Sequence, residues 1–307
     1  MADKMYGGTK LKFLVFVPDS GWDTIGKVVR KVLAHEGIDV ELVWTTGEEK
    51  NARLVRGEAD FTVAREDLSW AYHGTAEYEG QPHPNLRAIA CIAEPNWLGL
   101  AVTYETRLTA IEQIRERKFP LRIPAHDAGR GGRRVSLGFT IDRLFEAYGF
   151  TLQDLEAWGG GLKSGAIREG NFDAVVYRAY AGSGPVGRMW QEVTVLNNMR
   201  FLPIRSDILD EFESKHGLPR GVMPKALFRG MEGDIPTMYS RGRVMYATTR
   251  MDDDLAFLIA KSLDEHSEYF LETHLPLSYN PNLACRDTKA PLHPGAERYY
   301  RSRGYLK

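Results

Sequence analysis

Apolar runs of strand length alternate with stretches of helical period along this chain, and the alternation restarts near residue 105. Leu11–Val17 is apolar apart from Lys12, which suits a buried parallel strand. Trp22–His35 then spaces Ile25, Val28, Val29, Val32 and Leu33 along one helical face, and Gly37 closes it as expected at a helix C-terminus. Val40–Trp44 and Asp60–Ala64 read as further strands. Helices are expected over Glu48–Arg56, ended by Gly57, and over Asp67–Tyr72. Ala88–Ala93 and Leu98–Tyr104 are two more strands. This β-α-β-α order predicts a parallel sheet covered on both faces.

The second series opens with a strand at Leu121–Ile123. A Gly/Arg loop leads from it to a helix carrying Ile141, Leu144, Phe145 and Tyr148, stopped by Gly149. Ala174–Tyr177, Phe201–Ile204 and Val244–Thr249 are strands, and Asp253–Leu271 is an amphipathic helix. Two α/β units are expected, with a boundary at Thr103–Arg107 and Val244–Thr249 as the strand that carries the chain back. A length of 307 residues accommodates two such cores.

Composition narrows the classes. Forty basic against forty-one acidic residues argue against a nucleic-acid binder with a dominant basic surface. No apolar run approaches the roughly 18 residues of a membrane span, so no membrane insertion is expected. The two cysteines, Cys91 and Cys285, exclude a disulfide framework and a paired-cysteine zinc site. Cys91 lies in an apolar run and is expected to be a buried thiol. The first eight residues lack an apolar h-region and a cleavage site, so the sequence as written is expected to be cytoplasmic, or periplasmic if it is a mature chain. Gly159-Gly160-Gly161 follows no strand and lacks the Lys-Ser/Thr of a phosphate loop, and no cofactor is expected.

Four segments, in order, carry a resemblance: TGEEKNARLVRGEAD over Thr46–Asp60, EGNFDA over Glu169–Ala174, DIPT over Asp234–Thr237, and PLHPGAERYYRSRG over Pro291–Gly304. They resemble the TAXI family, the solute receptors of tripartite (TRAP) transporters. The resemblance implies a type II periplasmic-binding-protein fold: two α/β lobes joined by two crossing strands, with ligand held in an interlobe cleft. Lobe 1 would be 1–103 plus 247–307, and lobe 2 would be 104–246. Glu48-Glu49 stand where the family has Gly-Ser, and Gly131-Gly132-Arg133-Arg134 where it has Gly-Ser-Gly-Thr. The first loop, Pro18–Asp23, lacks the family's double glycine and tyrosine.

In open α/β sheets, ligands bind beyond the carboxyl ends of the strands. The loop Asp19-Ser20-Gly21-Trp22 leads from the first strand into a helix whose free N–H groups and dipole favour an anion. Ser20 or Asp23 can equally be a plain helix cap. Trp22 and Trp97 are candidates to cover the apolar part of a ligand, and Trp97 can equally pack at the hinge. Arg130, Gly132 and Arg133 combine a close-approaching backbone with guanidinium groups suited to a carboxylate. The bland reading of that loop is a solvated basic surface. Arg65 follows the third strand and can face ligand or pair with Glu66 or Asp67. Arg178 and Tyr180 follow a lobe 2 strand, and Thr46 opens the first of the four segments.

Two functions fit these residues. One is a TAXI-type receptor closing over a small organic carboxylate, with a TRAP membrane component as partner. The other is a cytoplasmic enzyme on the same scaffold, a decarboxylase or lyase acting on a small, possibly aromatic, carboxylate. In the enzyme, His126, Asp127 or Glu48 would move the proton. A cytoplasmic ligand sensor is a third option. His126 and Asp127 have no spaced partner, and no metal site is expected.

Overall fold

Phe13 and Phe61, on neighbouring strands, meet edge to face with ring centroids 4.7 Å apart, and the first core grows from them. The structure is a computed structural model describing residues 6–307, apart from residues 17, 47–48, 126–137, 164–166, 168–169 and 183. In chain order the first elements are β1 (Lys10–Val15), α1 (Gly21–Ala34), β2 (Asp39–Trp44), α2 (Glu49–Arg56), β3 (Phe61–Ala64), α3 (Asp67–His73) and β4 (Leu86–Thr103). There follow α4 (Glu112–Glu116), β5 (Arg122–Pro124), α5 (Phe139–Ala147), α6 (Leu152–Ala157), β6 (Gly161–Lys163) and β7 (Ala174–Tyr180). Next come α7 (Pro185–Leu196), β8 (Met199–Phe201), α8 (Ser206–His216), β9 (Arg220–Met223) and β10 (Ile235–Thr248). The chain ends with α9 (Asp253–Glu265), α10 (Pro281–Ala284) and α11 (Pro294–Ser302).

The chain divides into one unit running up to Glu94 and resuming at Arg241–Lys307, and a second unit, Pro95–Ser240. Both β4 and β10 run from one unit into the other. In the first unit the strand order is β2-β1-β3-β10-β4. β1 pairs in parallel with β2 and β3, because α1 and α2 carry the chain back over the sheet between them. β10 returns from the second unit and pairs antiparallel to β3, with Met245 opposite Val63.

Ile25, Val28, Val29, Val32 and Leu33 of α1 are all buried, as their spacing predicts. They pack with Ile259 and Leu263 of α9 and with Tyr299 and Tyr300 of α11. A separate cluster contains Leu54 of α2, Leu68 of α3, and Val244 and Tyr246 of β10. At carboxylate-free positions such as these, burial stabilises by about 25 cal/mol per Å² of apolar surface.

In the second unit, β4 pairs antiparallel with β7 from Asn96 to Val102 and with β8 at Ala101–Thr103. β9 pairs antiparallel with the first part of β10, while β5 and β6 form a parallel pair. Trp190, Phe201 and Phe228 stack in its core, with centroids 5.5–5.8 Å apart. Gly99 makes room for them, since a Cβ there would lie 2.7 Å from the Trp190 ring. The two-unit α/β architecture, its strand order and its two crossing strands are those of the type II periplasmic-binding-protein fold.

Several boundaries differ from expectation. Ala88–Ala93 and Leu98–Tyr104 are one strand, not two, and Glu94–Trp97 lies inside it. Pro95 is tolerated because the ladder to β7 begins one residue later, at Asn96. Arg178 and Tyr180 belong to β7 itself rather than to a following loop. The helix from Asp253 ends at Glu265, and a short 3₁₀ turn, Ser267–Phe270, follows.

Candidate ligand-binding site

The carboxyl ends of β1 and β3 deliver the chain to the first turns of α1 and α3, and the side chains gathered there come from five elements. Ser20 caps α1. Its Oγ accepts from the Trp22 and Asp23 N–H groups and donates to the Phe16 carbonyl at 2.8 Å. The cap fixes the first turn of α1 and with it Trp22. The indole packs edge-on against Phe16, with centroids 6.1 Å apart, and its body rests on the core beneath.

Three cationic heads surround that ring. Arg243 Cζ lies 4.8 Å, Arg65 Cζ 4.9 Å and Lys50 Nζ 5.1 Å from the indole centroid. Each is within the range in which the ring quadrupole attracts a cation, worth about 0.5–2 kcal/mol apiece. Lys50 and Arg243 are buried, which requires that their charges be paired.

The carboxylates of Glu94 and Asp67 take part in the pairing. Arg243 Nη1 donates to Glu94 Oε2, and Arg65 Nη2 lies 3.8 Å from the same oxygen. Lys50 Nζ donates to Asp67 Oδ2, whose other oxygen accepts the Arg65 backbone N–H at 2.8 Å. Burial alone would push the Asp67 carboxyl up. Lys50, with help from Arg65, outweighs it and holds the group below the usual carboxylate range. Glu66, in the same turn, is also buried.

The backbone makes room for this arrangement at Gly21. A Cβ there would lie 2.7 Å from Arg243 Nη1, so a larger residue would make the guanidinium shift from its place against the start of α1. Lys50 is fixed from behind. Its neighbour Asn51 is buried, donates to the Tyr78 hydroxyl at 2.8 Å and accepts from the Tyr246 hydroxyl. Burial pushes the Tyr246 hydroxyl well up, so it stays protonated and remains a donor.

Of the residues singled out from sequence, Ser20, Trp22 and Arg65 come together here. Thr46 is exposed, and its Oγ1 accepts the Glu49 N–H at 3.3 Å, at the start of α2. Trp97, Arg178 and Tyr180 lie in the second unit. Trp97 packs near Tyr239 with centroids 6.0 Å apart, Arg178 reaches the Asn96 side chain at 3.4 Å, and Tyr180 is buried on β7. Glu48, His126, Asp127, Arg130, Gly132 and Arg133 lie outside the described residues.

Sequence reasoning missed Lys50, Glu94 and Arg243 as site residues. Lys50 stood in a quoted segment, and Arg243 is a charge directly before the apolar run Val244–Ala247. Both signals were available but pointed to no partner. Among the described residues, no group of three His, Cys, Asp or Glu side chains is placed to hold a metal ion, and no helix is long and apolar enough to cross a membrane. Chemically, the cluster offers fixed guanidinium donors beside an aromatic ring, a setting for a planar anion such as a carboxylate.

The chain is similar to several solved structures at low identity. One is a protein from Bordetella bronchiseptica RB50, 14% identical, with 96% of this chain and 98% of that chain covered and a TM-score of 0.47. Another is the glycine betaine/L-proline-binding protein ProX from Borrelia burgdorferi, 13% identical, with 95% and 99% covered and a TM-score of 0.48. A third is the BenM effector-binding domain with its effector benzoate, 10% identical, with 89% and 99% covered and a TM-score of 0.42. The sequence model of the NMT1-like family matches residues 21–304, a span that runs from the first residue of α1 past the end of α11 and takes in Trp22, Lys50, Arg65, Glu94 and Arg243; the chain belongs to the NMT1-like family.

Proposed function

We propose that this protein is a solute receptor that binds a small organic acid, and that the acid's carboxylate is taken by Arg65 and Arg243 beside Trp22. The observation that carries this reading is the gathering of three cationic heads within 5.1 Å of one indole centroid, at the carboxyl edge of the first unit's sheet. Guanidinium groups held against an aromatic face keep their donors aimed without a ligand having to order them, which lowers the cost of binding. Arg65 is the more accessible of the two and would make first contact, with Arg243 lying deeper. The resemblance of four segments to TAXI receptors supports a TRAP membrane component as the partner.

The test is to incubate trace protein with an excess panel of aliphatic and aromatic carboxylates and follow the small molecules by mass spectrometry. One compound retained intact and stoichiometrically, and not retained by Arg65→Gln, is the expected result. No retention of any panel member overturns the reading. Multiple-turnover loss of one compound, absent with boiled protein, would replace the receptor with a decarboxylase or lyase.

A further inference from the structure

We infer that Glu94 is an intramolecular competitor for the ligand's carboxylate. This rests on the proposed reading of the Trp22 cluster and says what sets its affinity. Both guanidiniums that would hold the ligand converge on one oxygen of Glu94: Arg243 Nη1 donates to Oε2, and Arg65 Nη2 stands 3.8 Å from it. The Glu94 carboxylate is thus the same chemical group, on the same donors, as the head the ligand would present.

Both donors are packed against other groups as well as against Glu94. Arg243 is buried against Gly21 and lies over the Trp22 ring at 4.8 Å, with Arg65 over the same ring at 4.9 Å. A cation at the start of α1 is opposed by the helix dipole, so an anion is needed at this place whichever molecule supplies it. Asp67 does not fill the role, since its two oxygens are engaged by Lys50 and by the Arg65 backbone N–H. Ligand affinity is therefore the difference between two carboxylates for one pair of guanidiniums, and Glu94 sets the level a ligand has to exceed.

The experiment measures binding of acetate, benzoate and succinate by titration calorimetry in the natural protein and in Glu94→Gln, which keeps the shape and removes the charge. The expected result is tighter binding in the variant by about tenfold or more, the scale of one charged hydrogen bond. A residue that only supports the fold would not raise affinity when altered. Equal or weaker binding in Glu94→Gln, with binding kept in the natural protein, overturns the inference; weaker binding would make Glu94 an acceptor for a cationic group on the ligand. Binding of none of the three probes by either protein overturns the reading of the site itself, and the inference with it. If Glu94→Gln does not fold, Glu94→Asp decides. It withdraws the carboxylate by one methylene, and a smaller gain in affinity is expected, with equal or weaker binding again overturning the inference.

Discussion

The Trp22 cluster and the C-terminal segment Pro291–Gly304 are both rich in charge and aromatic rings, yet they are built in opposite ways. In the C-terminal segment the buried polar groups, those of His293, Tyr299 and Tyr300, are satisfied from within the fold. His293 caps α11 through Nδ1, and its Nε2 lies 3.0 Å from the Met251 carbonyl. The Tyr299 hydroxyl donates to Asp264 at 2.5 Å, and that of Tyr300 to the Ile89 carbonyl at 3.1 Å. Gly295 sits directly on α9, since a Cβ there would lie 1.8 Å from the Asp253 carbonyl oxygen. At Trp22, by contrast, like charges are gathered around one ring and paired with carboxylates. The segment with the densest motif likeness is a clamp joining α11 to α9, and the proposed site lies where the fold tolerates electrostatic opposition.

Variants separate the two regions, and Arg243→Ala should have the largest effect. It takes from the half-buried Glu94 the guanidinium that donates to it and should cost about 3–5 kcal/mol of stability in a urea titration, with carboxylate binding lost. A cost under about 1 kcal/mol would mean that the cluster holds no such opposition. Gly295→Ala comes next. Its Cβ meets backbone rather than a movable side chain, and a loss of about 2–3 kcal/mol is expected with carboxylate affinity unchanged. A matching fall in affinity would show that the clamp and the site are not separable. Arg65→Gln should do the reverse: binding weakened about tenfold, and stability changed by less than about 1 kcal/mol. Isothermal titration beside a melting curve reads both.

The same contrast explains what could be read from sequence. Helix α1 was legible to within one residue at each end, because its five apolar positions repeat at helical spacing and all are buried. That Ser20, Trp22 and Arg65 lie just beyond strand ends was legible because the apolar runs before them mark the strands. The unity of β4 was not. Glu94-Pro95-Asn96 reads as a break, and what keeps it a strand is tertiary: Asn96 is buried between Arg178 and the Ser240 carbonyl. Arg243 was illegible for the same reason. A buried guanidinium in a strand is meaningful only with its carboxylate, and that carboxylate is 149 residues away. The candidate residues of the second unit, Trp97, Arg178 and Tyr180, are on strands β4 and β7 rather than on loops, which local pattern does not distinguish when a strand ends in polar residues.

The smallest effect expected concerns pH, and it tests the clamp. Burial lowers the His293 imidazole below its ordinary 6.5, against an opposing pull from Asp253, whose carboxylate lies 3.6 Å away. The neutral ring fits its two contacts, with Nε2–H donating to Met251 and Nδ1 accepting from Gly295. As the pH falls below 6.5 the unfolded chain takes up this proton before the folded one does, so the unfolded state binds more protons. The contribution of His293 is therefore complete above 6.5 and declines as the pH is lowered toward the folded-state value. His293→Asn keeps a capping side chain at the start of α11 but has nothing to titrate. Its melting temperature should fall less between pH 7.5 and pH 5.5 than that of the natural protein. His216, also lowered by burial, contributes to both proteins and cancels in the comparison. If the two proteins lose stability in parallel over that range, the Asp253 pull balances burial and the imidazole is not lowered in the folded clamp.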